Sequence, residues 1–177
     1  MKLSKLIRVL VGVLAVVAFA LMFSNQINHT ITVEMMGQTY TETKAIAYND
    51  VFFQVKSYNV VASEGATLSF IAYIVVLITG ILVTLTAFLN NKAGNFIALL
   101  SGILMLVASF LIFFIVDVWK GANANNDAFS LLYVGKLTPS AGAIFAGIFA
   151  LIGGVGAAIS AVLPQAKSKK KSKKRRK

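Results

Sequence analysis

The chain has no cysteine, one histidine, two prolines and only six acidic residues among its 177. Without thiols there is no disulfide framework, no thiolate nucleophile and no cysteine-ligated zinc site. The single imidazole, His29, has neither a cysteine nor an adjacent carboxylate, so it makes a poor metal centre and reads as a solvated loop residue. No nucleophile elbow, phosphate-binding loop or dinucleotide fingerprint occurs. Glu34, Glu42 and Asp50 lie close in sequence, but spacing alone does not make a general acid and base. The chain reads as a non-enzyme, with no cofactor and no metal expected.

Two short motifs carry little. "NANND" (Asn123–Asp127) is oxygen-rich but lacks the glycine and closing glutamate of a calcium loop, and reads as a polar turn. Asn28-His29-Thr30 matches the N-glycosylation sequon, which has meaning only in a eukaryotic secretory pathway.

Polar surface is also scarce. Hydrophobic residues make up 58% of the chain and charged ones 13%, with a mean hydropathy of +0.80, too little polarity to cover a soluble globule. Three uncharged stretches, between Glu64 and Lys92, Lys92 and Asp117, and Lys136 and Lys167, are long enough to cross a bilayer. A fourth, Leu6–Phe23, carries only Arg8, close enough to its end to snorkel to the interface. The expected fold is therefore an all-α membrane bundle of four transmembrane helices, with a small β-rich extracytoplasmic subdomain formed mainly by the first outer loop.

In segments, 1–24 is the first membrane helix with a basic N-terminus, 25–65 the β-rich loop, and 66–118 a helical hairpin closed by the turn Asn90–Asn95. Residues 119–137 form a second outer loop, 138–163 the fourth helix and 164–177 a disordered basic tail. The first segment also fits a signal peptide, with Ala18-Phe19-Ala20 as a cleavage site; a retained helix is preferred because the apolar run continues through Phe23.

Charge sets the expected orientation. Of 17 basic residues, 13 fall on one side of a four-span layout, and all six acids fall on the other. The positive-inside rule then makes both termini cytoplasmic in a plasma-membrane protein. The tail supplies nine of these charges: Lys167, Lys169, Lys170, Lys171, Lys173, Lys174, Arg175, Arg176 and Lys177. Beside a membrane exit at Pro164, they are expected to contact anionic lipid headgroups, ahead of nucleic acid.

The last helix carries small residues every fourth position: Gly142, Ala146, Ala150, Gly154 and Ala158. Such a ridge lets another helix backbone approach closely, either in the same chain or in a partner protein or second copy. Thr138 is the expected N-cap before Pro139. The polar groups at membrane depth, Ser69, Tyr73, Thr79, Thr84, Thr86, Ser101 and Ser109, are neutral and can bond to their own helices, which disfavours charge-coupled transport. Asp117 and Trp119 fit a membrane boundary with its aromatic belt.

In the first outer loop, Thr30–Met35 alternates polar and apolar, Met36-Gly37 can turn, and Gln38–Ala45 is rich in Thr and Tyr, predicting a β-hairpin. Val51–Val61 is a third candidate strand and Phe129–Gly135 a possible fourth. Tyr40, Tyr48, Phe52 and Tyr58 serve recognition if they cluster outward, and a lid if they turn inward. The layout resembles that of claudin-like tetraspan proteins in topology alone; their paired loop cysteines are absent and the resemblance implies no function. The expected role is an accessory or assembly subunit that binds membrane proteins through its outer sheet and small-residue helix face. The alternative is a small transporter or channel for a neutral or hydrophobic solute, using Tyr73 and the Ser and Thr residues of the hairpin helices.

Overall fold

The structure is a computed structural model and describes residues 3–57, 60–89 and 92–163. The order is α1 (Leu3–Ala20, prolonged by a 3-10 turn, Leu21–Phe23), β1 (Ile27–Met35), β2 (Gln38–Ile46), α2 (Tyr48–Phe52), β3 (Val55–Ser57) and β4 (Val60–Ser63). There follow α3 (Thr67–Thr86), α4 (Lys92–Phe113), α5 (Ile115–Ala122), α6 (Asp127–Leu132), β5 (Lys136–Pro139) and α7 (Ala141–Val162). Four helices, α1 with its 3-10 turn, α3, α4 and α7, are long and apolar enough to cross a membrane, as the uncharged stretches predict.

These four form a ring in which α1 touches α3 and α7, and α4 touches the same two. The short link from α3 to α4 and the longer ones at the opposite end make every neighbouring pair antiparallel. The packing inverts that of a soluble bundle. The buried residues of α7 are all small, Ala143, Ala146, Gly147, Ala150, Gly153, Gly154, Ala157 and Ser160, while Phe145, Ile152, Val155 and Ile159 face outward. Lipid solvates large apolar side chains as well as protein does, so close backbone approach decides what lies between membrane helices.

One close backbone approach joins α4 to α7. A Cβ on Gly102 would stand 2.8 Å from the Gly154 carbonyl and 3.0 Å from the Ala158 nitrogen, both backbone atoms with little room to yield. On the other side of the ring, Gly12 and Gly80 bring α1 and α3 together against Thr84 and Ala15.

At one end of the bundle sits a three-stranded antiparallel sheet in the order β2-β1-β5. The hairpin is the predicted one, with Met35 opposite Gln38 across Met36-Gly37. Both turn residues have positive φ, 52° and 78°, the two-residue geometry whose twist matches paired strands. The sheet is held only at its base: β5 pairs Ile27–Thr30, and beyond that point β1 is exposed.

Three local expectations are corrected. Val51–Val61 is not one strand: Val51 and Phe52 end α2, and β3 and β4 form a separate two-stranded sheet. The reason is burial, since Val51 and Phe52 both point into the core, which an alternating strand cannot do with consecutive residues. The second loop joins the sheet through Lys136–Pro139 rather than Phe129–Gly135, because Asn126 caps a helix there by accepting from the Phe129 N–H at 3.1 Å. Thr138 and Pro139 belong to β5, and Ser140 occupies the N-cap position of α7, its own N–H given to the Gln26 carbonyl at 2.9 Å.

Two substitutions test this packing. Gly102→Val should lower stability by about 1–3 kcal/mol through overpacking against the α7 backbone, whereas Gly121→Ala, where nothing lies within 4 Å of the added Cβ, should be neutral or slightly stabilising. Thermal unfolding in detergent compares them directly, and equal melting temperatures would refute the close α4–α7 contact.

Candidate functional site

The small-residue ridge is occupied within the chain. Ala146 and Ala150 are fully buried, Gly154 lies against the Gly102 carbonyl and the Leu106 side chain, and Gly142 lies against Ser24 and Asn25. Ala158 is half-buried beside Gly102. These five residues join α7 to its own bundle and leave little of that face for a partner. The basic tail, Lys167–Lys177, and Pro164 lie outside the described residues, as does Tyr58.

Arg8 does not snorkel. It is 2% exposed and its guanidinium reaches three other helices. One terminal nitrogen donates to the Thr86 carbonyl at 2.8 Å, the other to Asn95 Oδ1 at 2.6 Å and the Ser160 carbonyl at 3.4 Å, and Nε donates to the Ser160 hydroxyl at 3.3 Å. Thr86 and Ser160 are in the last turns of α3 and α7, where helix carbonyls lack intrahelical partners and the dipole favours a cation. A planar fork of five N–H donors satisfies this geometry; a point charge does not. Sequence reasoning missed the role because a lone arginine near a helix end usually does reach for the headgroups.

The opposite end has its own polar clasp. Gln26 is fully buried; its amide nitrogen donates to the carbonyls of Leu21 and Met22, both at 2.9 Å, and of Ser24 at 3.0 Å, closing the end of α1. Its Oε1 accepts from the Tyr73 hydroxyl of α3 at 2.8 Å. Tyr73 is therefore a fixed core group. Thr79, Thr84, Thr86 and Ser109 donate to carbonyls of their own helices, and Ser69 crosses to the Leu111 carbonyl of α4 at 3.0 Å. Ser101 is buried.

Trp119 is fully buried rather than set in an interfacial belt, its indole N–H given to the Glu64 carbonyl at 3.0 Å. Asn123 grips the same backbone, accepting from the Glu64 N–H at 2.6 Å and donating to its carbonyl at 2.9 Å, so "NANND" is structural. Trp119, Phe129 and Tyr133 form a mutual aromatic cluster with ring centroids 4.8–4.9 Å apart. His29 adds an edge contact to Tyr133 at 5.6 Å. Contrary to the solvated-loop reading, His29 is 6% exposed, with Nε2 hydrogen-bonded to the Val134 carbonyl at 2.8 Å. It sits in the central strand, where the alternation that buries Ile27 buries it too.

This cluster backs a cleft of about 330 Å³, lined by His29, Ile31, Lys44, Ala45, Ile46, Asp50, Leu132 and Tyr133. Burial and, second, the negative charge of Asp50 raise the Tyr133 phenol above its ordinary value. Beyond the cleft the hairpin continues with Ile31, Val33, Met35, Met36 and Tyr40 all exposed, Met36 completely. Of the other loop aromatics, Phe52 is buried against Phe70 and Tyr73, and Tyr48 is half-buried against Phe23. No known protein family matches the chain, and neither a curated protein nor a solved structure matches it.

Arg8→Leu should cost about 2–4 kcal/mol, because the carbonyls and amide it serves lose their buried donor. Lys5→Gln should be close to neutral, and Arg8→Lys should recover only part of the loss; chemical unfolding in detergent ranks the three. Asp50→Asn should lower the Tyr133 titration toward the ordinary tyrosine value, read by ultraviolet difference absorbance. Because the folded value is raised, protonated Tyr133 contributes its full stability below about pH 10 and loses it as the pH rises further.

Proposed function

We propose that this is a non-enzymatic multi-pass plasma-membrane protein, an accessory or assembly subunit that binds other membrane proteins through its sheet end. Both termini face the cytoplasm, with the basic tail on anionic headgroups, and the sheet faces outward. The observation that carries the reading is the hairpin tip. In β1 and β2 the register puts Ile31, Val33, Met35 and Tyr40 on one face, with Glu42 and Lys44 among them, continuing the buried stripe of Ile27, His29 and Ile46, while Thr30, Thr32, Thr41 and Thr43 occupy the other.

Met36 strengthens it. A wholly exposed methionine at φ 52° stands where asparagine or glycine is favoured on backbone grounds. A chain that keeps an apolar residue there, against both solvation and local preference, is retaining it for contact. The ridge on α7, being spent within the bundle, is not assigned to the partner.

The transport alternative has weaker support, because the hydroxyls of Tyr73, Ser69, Thr79, Thr86 and Ser109 bond to protein groups. Since the chain has no cysteine, single introduced cysteines report topology and contacts without background. Thr41→Cys should react with an impermeant maleimide on intact cells, and Ser172→Cys only after lysis. A photoactivatable crosslinker at residue 41 should capture a specific membrane protein, and Met35→Asn with Met36→Asn should abolish capture while leaving the melting temperature unchanged. A chain that stays solitary in native membranes would rule out the subunit role.

A further inference from the structure

We infer that the cleft at the base of the sheet is a binding site for a zwitterionic head group, a phosphate joined to a primary ammonium, as a phosphoethanolamine lipid carries. This goes beyond the subunit reading and needs only that the bundle crosses a membrane.

Charge comes first. Lys44 of β2 and Asp50 of α2 both line the cleft, and among the described residues neither forms an ion pair or a side-chain hydrogen bond. A cation and an anion thus share one cavity without cancelling. A ligand of single sign satisfies one and is opposed by the other, whereas a zwitterion satisfies both. The Asp50 charge is felt at the Tyr133 phenol, so the anionic side of the cleft also carries an aromatic ring, a pairing suited to an ammonium group. Lys44 supplies the point charge for the phosphate.

Shape and position agree. The cleft, about 330 Å³, lies at the lower end of small-ligand sites, and Ile31, Ile46 and Leu132 give it an apolar wall for the glycerol and first acyl carbons. It is also close to the bilayer. Gln26 folds back onto the end of α1 and His29 follows three residues later, so this wall stands at most about 10 Å from Gln26. A headgroup layer extends about 5–8 Å beyond the hydrocarbon on each side.

The sole tryptophan reports on the site, because the Trp119 ring makes an edge contact, centroids 4.8 Å apart, with Tyr133, which lines it. The full chain in a nonionic detergent is titrated with short-chain phosphatidylethanolamine, with phosphatidylglycerol of the same chains, and with soluble O-phosphoethanolamine. Native mass spectrometry of retained lipid runs in parallel, so that a silent fluorophore decides nothing. Saturable binding of the ethanolamine lipid is expected, about tenfold tighter than of the glycerol lipid. Lys44→Ala and Asp50→Asn should each weaken it about tenfold, and Lys44→Arg should retain it. Competition by O-phosphoethanolamine would support a free zwitterion as the source, and its failure to compete a membrane lipid. Equal retention of both lipids, or binding indifferent to both charge-removing variants, would overturn the proposal. Binding that survives Met35→Asn with Met36→Asn separates this site from the partner-binding tip, whose loss would leave the cleft intact.

Discussion

A guanidinium held at the edge of a hydrocarbon layer must find oxygen, and this constraint organises the bundle. Arg8 finds it in the carbonyls of Thr86 and Ser160, the Ser160 hydroxyl and the Asn95 amide, so one side chain of α1 is bound to α3, α4 and α7 together. The six acids of the chain belong to segments at the sheet end, so the compensation comes from dipoles: two helix C-termini turn their negative ends toward it. The fork is rigid, so meeting these acceptors sets not only which helices meet but their relative height and rotation.

From that fixed end the packing follows. Between the Arg8 clasp and the Gln26–Tyr73 clasp, the helices have no hydrophobic drive to associate in lipid, and close approach at small residues supplies dispersion contact instead. Gly102 against Gly154 and Gly12 against Gly80 are the tight points on opposite sides of the ring. The polar clasps specify alignment, and the glycine crossings give the aligned helices a reason to touch. The sheet inherits its position from the second clasp, since the backbone of Gln26 binds both Ile46, at the end of β2, and Ser140, at the start of α7.

Legibility in the sequence followed how local each cause was. The spans could be read because charge is excluded from about 20 residues at a time, and the hairpin because period-two alternation met a Met-Gly turn. Arg8, His29 and Trp119 could not, since each is buried by elements far away in the chain: Arg8 by Ser160, His29 by Val134, Trp119 by Glu64. Their types all have an ordinary exposed role near a membrane, and only tertiary partners distinguish the two cases. The ridge on α7 was visible as a packing face, but periodicity carries no information about whether the opposing helix belongs to the same chain. Asp50 was visible only as one of three neighbouring acids and Lys44 not at all, because their shared cleft exists only once β2, α2 and the end of α6 converge.

The distribution of satisfied and unsatisfied groups locates where the molecule can act. Within the spans Arg8, Ser69, Tyr73, Thr79, Thr86 and Ser109 are committed, to their own helix or to a neighbour, and a committed group has little left to offer a passing solute. At the sheet end the balance reverses. Apolar side chains on the hairpin meet water, a methionine occupies a backbone conformation that disfavours it, and two opposite charges share a cleft unpaired. The exposed apolar side chains and the positive φ of Met36 cost the isolated chain free energy, and neither is required to hold the bundle, which is fastened at the base of the sheet by Ile27, Ile46 and Gln26. Features that destabilise the monomer without supporting its fold are what a partner would relieve, which is why the proposed contacts are assigned to the sheet end and not to the bundle.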